Sequence, residues 1–143
     1  MHKTKCSKET KDKIIKIHEA KSSAIYINNE DQDDFFLIHH DGCVVINKSG
    51  ADFILLKSDL KSLAIIELKG ISVKDAYNQI VETTKYVNST NLSTAKKTAI
   101  IVNRFWPKAT VSLQTLQQRY AKDFKSKLLA ARHLSTKKYK EII

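Results

Sequence analysis

The sequence predicts an α/β domain with a mixed, mostly antiparallel central sheet flanked by helices and a basic amphipathic helix toward the C-terminus. Three observations predict it. Leu63-Ala64-Ile65-Ile66 is apolar at every position, which suits a strand covered on both faces. Residues 72–87 carry Val73, Ala76, Tyr77, Ile80, Val81 and Thr84 at near-helical spacing behind Ser72, a capping residue. Residues 98–102 form a second continuous apolar run, and a right-handed crossover through the intervening helix lays it parallel to the first strand. A chain of 143 residues, 42% hydrophobic and 28% charged, fits one domain spanning 1–143.

The other elements follow in order. Ile14, Ile15 and Ile17 sit among Lys and Glu, so residues 7–19 read as a first helix capped by Ser7. Residues 22–27 are β-rich, the acidic cluster Glu30, Asp31, Asp33 and Asp34 interrupts, and 35–38 resumes apolar, which predicts a hairpin around the acidic turn. Asp41-Gly42 marks a turn, 43–46 a strand and 47–50 a loop; 53–56 is a further strand, joined to the central one through the short polar link 57–62. Gly70 stops the central strand. Beyond Pro107, residues 111–134 place Leu113, Leu116, Tyr120, Phe124, Leu128 and Ala131 near one stripe, a long helix whose outer face carries Arg119, Lys122, Lys125 and Arg132. The tail 137–143 reads either as an edge strand or as a loose terminus.

Charge is distributed unevenly. Residues 1–95 hold 13 Lys and 13 acidic residues, whereas 96–143 hold nine Lys and three Arg against Asp123 and Glu141, which accounts for the whole net charge of +10. A one-sided cationic field attracts polyanions, and nucleic acid is the commonest; a merely solvated Lys-rich helix is the plainer reading of the same charge. Cys6 and Cys43 are too few for a disulfide framework, no signal-like segment opens the sequence, and no apolar run approaches the roughly 20 residues that span a bilayer, so a cytoplasmic protein with no membrane partner is expected.

The chemistry concentrates on one constellation. Asp52 stands at the entrance of one expected strand, and Glu67 and Lys69 stand at the exit of the next; antiparallel pairing brings those ends together. Residues two apart in a strand share a face, so Glu67 and Lys69 project to one side while Leu68 points to the other. Charges at the end of so apolar a strand are costly without partners. Two carboxylates form a hard oxygen site that suits Mg²⁺, with Mn²⁺ as a substitute. A divalent cation there acidifies water and neutralises charge growing on a phosphate, and Lys69 is placed to orient the attacking water.

Asp52, fourteen residues, then Glu67-Leu68-Lys69 resembles the Asp and Glu-x-Lys of the PD-(D/E)XK, or restriction-endonuclease-like, nuclease superfamily. Residues 8–103 follow that core's order of helix, strands, hairpin, helix and strand. The resemblance implies a metal-dependent endonuclease of DNA, resolvase-like or of the defence and restriction kind, often a homodimer, with RNA left open as substrate. It implies that Asp52, Glu67 and a further acid, Glu19 on the first helix, hold the metal, with Asp41 an alternative third acid. It also assigns Lys69 to the water and Gln79 to the helix after the strand. Ala51 stands where the superfamily has its name-giving Pro, and Thr83 stands where a tyrosine often follows the Gln. On this reading Arg104 joins Arg119, Lys122, Lys125 and Arg132 in holding the phosphate backbone. The same fold without turnover, binding nucleic acid or a protein partner, is the alternative; an immunity-like protein docking a basic partner on the cluster from Glu30 to Asp34 is a third.

Other residues carry weaker signals. His39-His40-Asp41 with Cys43 lacks zinc-ligand spacing, because adjacent strand residues point to opposite faces. Cys43 reads as a small core residue. Phe105-Trp106-Pro107, between Arg104 and Lys108, fits either packing or base stacking.

Overall fold

The computed structural model describes residues 5–19, 23–68, 72–104 and 111–143. The elements are β1 (Ser7–Thr10), β2 (Ile14–His18), β3 (Ala24–Asn28), β4 (Phe35–His39), β5 (Phe53–Lys57), β6 (Ser62–Glu67), α1 (Val73–Asn88), β7 (Lys96–Asn103), α2 (Val111–Phe124), β8 (Lys127–Arg132), β9 (Thr136–Lys138) and the short α3 (Tyr139–Ile142). They form a six-stranded sheet in the order β1-β4-β5-β6-β7-β8 and a three-stranded sheet β2-β3-β9. The large sheet is antiparallel from β1 to β6 and parallel from β6 to β8.

β6 is central, and all six of its residues are buried. Its alternation divides the interior. Leu63 and Ile65 face α1 and α2 together with Ile54, Ala99, Ile80 and Tyr120, while Ala64 and Ile66 face the small sheet together with Leu55, Ile100, Ile17 and Ile25. A strand with helices on one face and a second sheet on the other has no solvated side, which is why its sequence is uninterruptedly apolar. α1 starts where expected: Ser72 Oγ accepts from the Asp75 N–H at 3.3 Å. β7 lies parallel beside β6, as the crossover rule requires.

Four expectations are corrected. Residues 7–19 form β1 and β2 rather than a helix; Ile15 and Ile17 are buried while Ile14 is half exposed, a period of two that three closely spaced isoleucines also permit. The segments before and after the acidic turn do not pair as a hairpin, because β3 joins the small sheet and β4 the large one. Residues 43–46 form turns with a single bridge, Asp41 to Val45, instead of a strand. The long basic helix stops at Phe124, Lys125 takes a left-handed conformation (φ 52°), and β8 follows. Leu128 and Ala131, three residues apart, fit a helical stripe equally well, yet in β8 they face opposite layers.

The tail is ordered. β9 pairs parallel with β3, and Tyr139 and Ile142 of α3 are buried. The Tyr139 hydroxyl donates to Asp33 at 2.7 Å and Asp31 at 3.1 Å, which holds its acidity well below that of an ordinary phenol. Lys140 pairs with Asp31 at 3.0 Å, Lys57 with Asp33 at 3.7 Å and Lys11 with Asp34 at 3.6 Å. Three of the cluster's four acids, Asp31, Asp33 and Asp34, are thus paired with this chain's own lysines, which a basic partner would have to displace.

Cys43 is half-buried and forms a disulfide with Cys6, which corrects its assignment to the core. The bridge ties β1 to the loop between β4 and β5. No described helix is long and apolar enough to cross a membrane.

Candidate metal and nuclease site

β5 and β6 pair with Phe53 opposite Ile66, so Asp52 and Glu67 lie opposite each other one step further on. By alternation both project from the helix-facing side, in line with Ile54 and Ile65. Asp52 is 2% exposed and Glu67 fully buried. Asp52 Oδ2 accepts from the Leu68 N–H at 2.8 Å, which fixes the carboxylate against the strand that carries Glu67.

Gln79, on the second turn of α1, completes the group. Its amide has one orientation that satisfies its surroundings, with the nitrogen donating to Glu67 Oε2 at 2.6 Å and to the Gly50 carbonyl at 2.7 Å. One turn later Thr83 Oγ1 accepts from the Ala51 N–H at 2.7 Å. The helix therefore grips residues 50 and 51 and Glu67 at once, holding the two carboxylates in register. Gly50 and Thr83 were not recognisable in the sequence, since a carbonyl acceptor leaves no residue-type signal and Thr83 occupies a position where the resemblance implies a tyrosine.

Two carboxylates side by side in a buried site repel each other, and their cost falls when a cation lies between them. The donor set of hard oxygens, held by Gln79 and the Leu68 N–H, fits a small divalent cation of the Mg²⁺ class. Among the described residues no group of three His, Cys, Asp or Glu side chains forms that could hold a metal ion. Glu19 does not supply a third ligand: it follows β2, not a helix, and its Oε1 lies 3.4 Å from His39 Nε2. His39 stacks on Phe53, which belongs to the layer facing the small sheet, so Glu19 is on the opposite side from Asp52 and Glu67. Asp41 is not grouped with the pair either; its backbone N–H donates to the Ala51 carbonyl at 3.2 Å. Lys69 lies outside the described residues, as do Gly70, Phe105, Trp106, Pro107 and Lys108.

No family model, curated protein or solved structure matches this chain. The five expected backbone-binding cations divide into two groups. Arg104 follows β7 and Arg132 ends β8, both exposed and both at the end of the sheet where Glu67 lies. Arg119 is exposed midway along α2, while Lys122 and Lys125 approach the opposite end of the sheet, where β7 and β8 begin. Arg132 belongs to a strand, not to the helical face expected for it. At that opposite end Lys96, Lys97, Lys125 and Lys127 surround a cavity of about 260 Å³. Lys97 is buried and donates to the Ser93 and Ala95 carbonyls at 2.9 and 2.8 Å; burial holds its pKa below the usual lysine value.

Proposed function

We propose that this protein is a Mg²⁺-dependent endonuclease that hydrolyses phosphodiester bonds of DNA, with a restriction-endonuclease-like core formed by β4, β5, β6, α1 and β7. The carrying observation is the buried juxtaposition of Asp52 and Glu67, clamped by Gln79 and the Leu68 N–H. Asp52 and Glu67 would hold the metal, and Mn²⁺ would replace Mg²⁺. A divalent cation held there would supply Lewis acidity for phosphodiester hydrolysis. Gln79 keeps Glu67 aimed and joins it to residue 50, while Lys69, two residues beyond Glu67 in sequence, serves the attacking water. Arg104 and Arg132 lie at this end of the sheet and would take the flanking phosphates. A homodimer would present two such sites to a duplex.

A second reading keeps the fold without turnover, as a nucleic-acid-binding module. It draws on the lysines gathered at the far end of the sheet. Plasmid, branched DNA and RNA incubated with the protein in Mg²⁺, Mn²⁺ or EDTA separate the two. Metal-dependent DNA cleavage that Glu67→Gln and Lys69→Ala abolish is expected. Cleavage indifferent to both variants, or calorimetry showing no Mg²⁺ or Mn²⁺ uptake, would sink the enzyme; binding without cleavage leaves the module.

A further inference from the structure

The segment 40–52 carries the chain from β4 to Asp52 and is held at both ends. At the far end Gln79 donates to the Gly50 carbonyl and Thr83 accepts from the Ala51 N–H. At the near end Cys43 is bonded to Cys6, which directly precedes β1. Between these anchors the segment borders a cavity of about 440 Å³ whose wall includes His40, Val45, Glu82 and Tyr86. Close packing is what fixes a loop against a helix, and along this stretch open space separates it from α1. The turn itself is closed locally. Gly42 N–H donates to the Val45 carbonyl at 2.8 Å, and the Cys43 and Val45 N–H groups donate to the His40 carbonyl at 3.3 and 3.0 Å. Such a turn keeps its shape yet can move as a unit, and the disulfide is the covalent tie that stops it.

That tie is in register with the carboxylates. The His39 N–H donates to the Cys6 carbonyl at 2.8 Å, His39 lies opposite Phe53, and Phe53 lies opposite Ile66. Cys6 therefore stands in the row of the sheet next to the one that holds Asp52 and Glu67, two strand spacings or about 10 Å from β5. From the turn the connection runs through backbone: the His40 and Asp41 N–H groups donate to the Asp52 and Ala51 carbonyls at 2.9 and 3.2 Å. The turn held by the disulfide is thus the one that places the backbone of Asp52. Asp52 Oδ2 accepts from the Leu68 N–H, so a displacement of Asp52 is felt beside Glu67.

Both cysteines are half-buried and stand outside the two core clusters, so opening the bond leaves the core packed. They are the chain's only two, which gives the bond one intramolecular pairing to return to. We infer that Cys6–Cys43 is a reversible redox clamp on the carboxylate site. Oxidised, it fixes segment 40–52 and with it Asp52; reduced, it lets the turn move and the two carboxylates lose their register. The exchange is with a soluble thiol of the glutathione class. One thiol attacks a sulfur and breaks the S–S bond, a second resolves the mixed disulfide, and two electrons and two protons pass to Cys6 and Cys43 as the thiols leave joined as their own disulfide. The consequence for a bound cation rests on the metal reading of Asp52 and Glu67.

The test uses the full isotope-labelled chain, equilibrated with reduced and oxidised glutathione in graded ratio and followed by amide NMR and Mg²⁺ calorimetry. Reduction should move or broaden the amide signals of His40, Asp41 and Val45, and that of Leu68, whose N–H reports the Asp52 carboxylate, while β7 and β8 stay in place. It should weaken Mg²⁺ binding by about fivefold or more, and oxidised glutathione should restore it. Linkage requires the converse: saturating Mg²⁺ should make the bond harder to reduce by the same factor. The double variant Cys6→Ser/Cys43→Ser should match the reduced form and ignore the couple. Resistance of the folded chain to reduction, or a Leu68 signal that stays in place, would overturn the clamp, and Mg²⁺ uptake in that case would leave the metal reading standing. Equal, measurable Mg²⁺ affinity in both forms would overturn it too. Signals that respond with no Mg²⁺ uptake by either form uphold the clamp and remove the metal reading.

Discussion

The two ends of β6 are built oppositely. At the Glu67 end two buried carboxylates meet under Gln79, residues 50 and 51 are pinned to α1, and the neighbouring loop is tied to β1 by the Cys6–Cys43 bridge. At the Ser62 end, about 17 Å away at the usual strand rise, Lys96, Lys97, Lys125 and Lys127 collect around a cavity. Anionic groups are buried and fixed; cationic groups are mostly exposed and able to move. The difference teaches that the chain's basicity and its candidate chemistry are separate devices. A buried carboxylate pair specifies one small cation at one geometry, whereas exposed lysines supply a diffuse attraction that tolerates many arrangements of phosphate.

The largest expected effect would break that division of labour at the site end. If the proposed site is active, Glu67→Gln should lower cleavage by about 10²- to 10³-fold, comparable with loss of a principal electrostatic group, and should abolish the rise in Tm expected when Mg²⁺ is added to the unaltered protein. Activity and thermal unfolding with and without the ion read both, and a variant still stabilised by Mg²⁺ would move the ion elsewhere. Next comes the covalent tie. Its sequence separation of 37 residues corresponds to a chain-entropy contribution of up to about 4 kcal/mol, so Cys43→Ser should shift the denaturant midpoint downward by a few kcal/mol equivalent. An unchanged midpoint would show that the site end holds together without it.

At the lysine end the effect is smaller and salt-dependent. Changing Lys122, Lys125 and Lys127 to Gln should flatten the dependence of DNA binding on salt by about 0.9 for each phosphate that these side chains no longer neutralise, without altering the metal's effect on Tm. Equal salt slopes would confine DNA to the other end. The smallest change sharpens how α1 is set. Ser72→Ala removes the cap that starts the helix and should cost about 0.5–1 kcal/mol in chemical denaturation, with cleavage reduced only through looser positioning of Gln79.

Legibility in the sequence followed the number of physical constraints on each residue. β6, α1 and β7 were readable because burial on both faces demands an unbroken apolar run and a half-buried helix demands its stripe. Asp52 and Glu67 could be placed opposite each other because antiparallel pairing of two successive strands joins those ends, whereas Gln79, inside α1, was singled out only through the resemblance. Ile14, Ile15 and Ile17 satisfied two periodicities, and only pairing with β3 chose the strand. Leu128 and Ala131 likewise fitted a helix until Lys125 turned the chain. Glu19 was assigned to the site through a helix that does not form, and so its side of the sheet was wrong.

By itself the sequence determined the central βαβ unit, the antiparallel approach of Asp52 to Glu67, and the confinement of net positive charge to the last third, because hydrophobic periodicity and charge are local properties of the chain. Tertiary structure alone decided the second sheet, the Cys6–Cys43 bridge, the separation of Arg104 and Arg132 from Lys122 and Lys125, and the cavity lined by His40 and Tyr86. Each of these depends on which distant segments meet, and the free energy of those meetings is set by pairing and packing between elements that no single stretch of residues encodes.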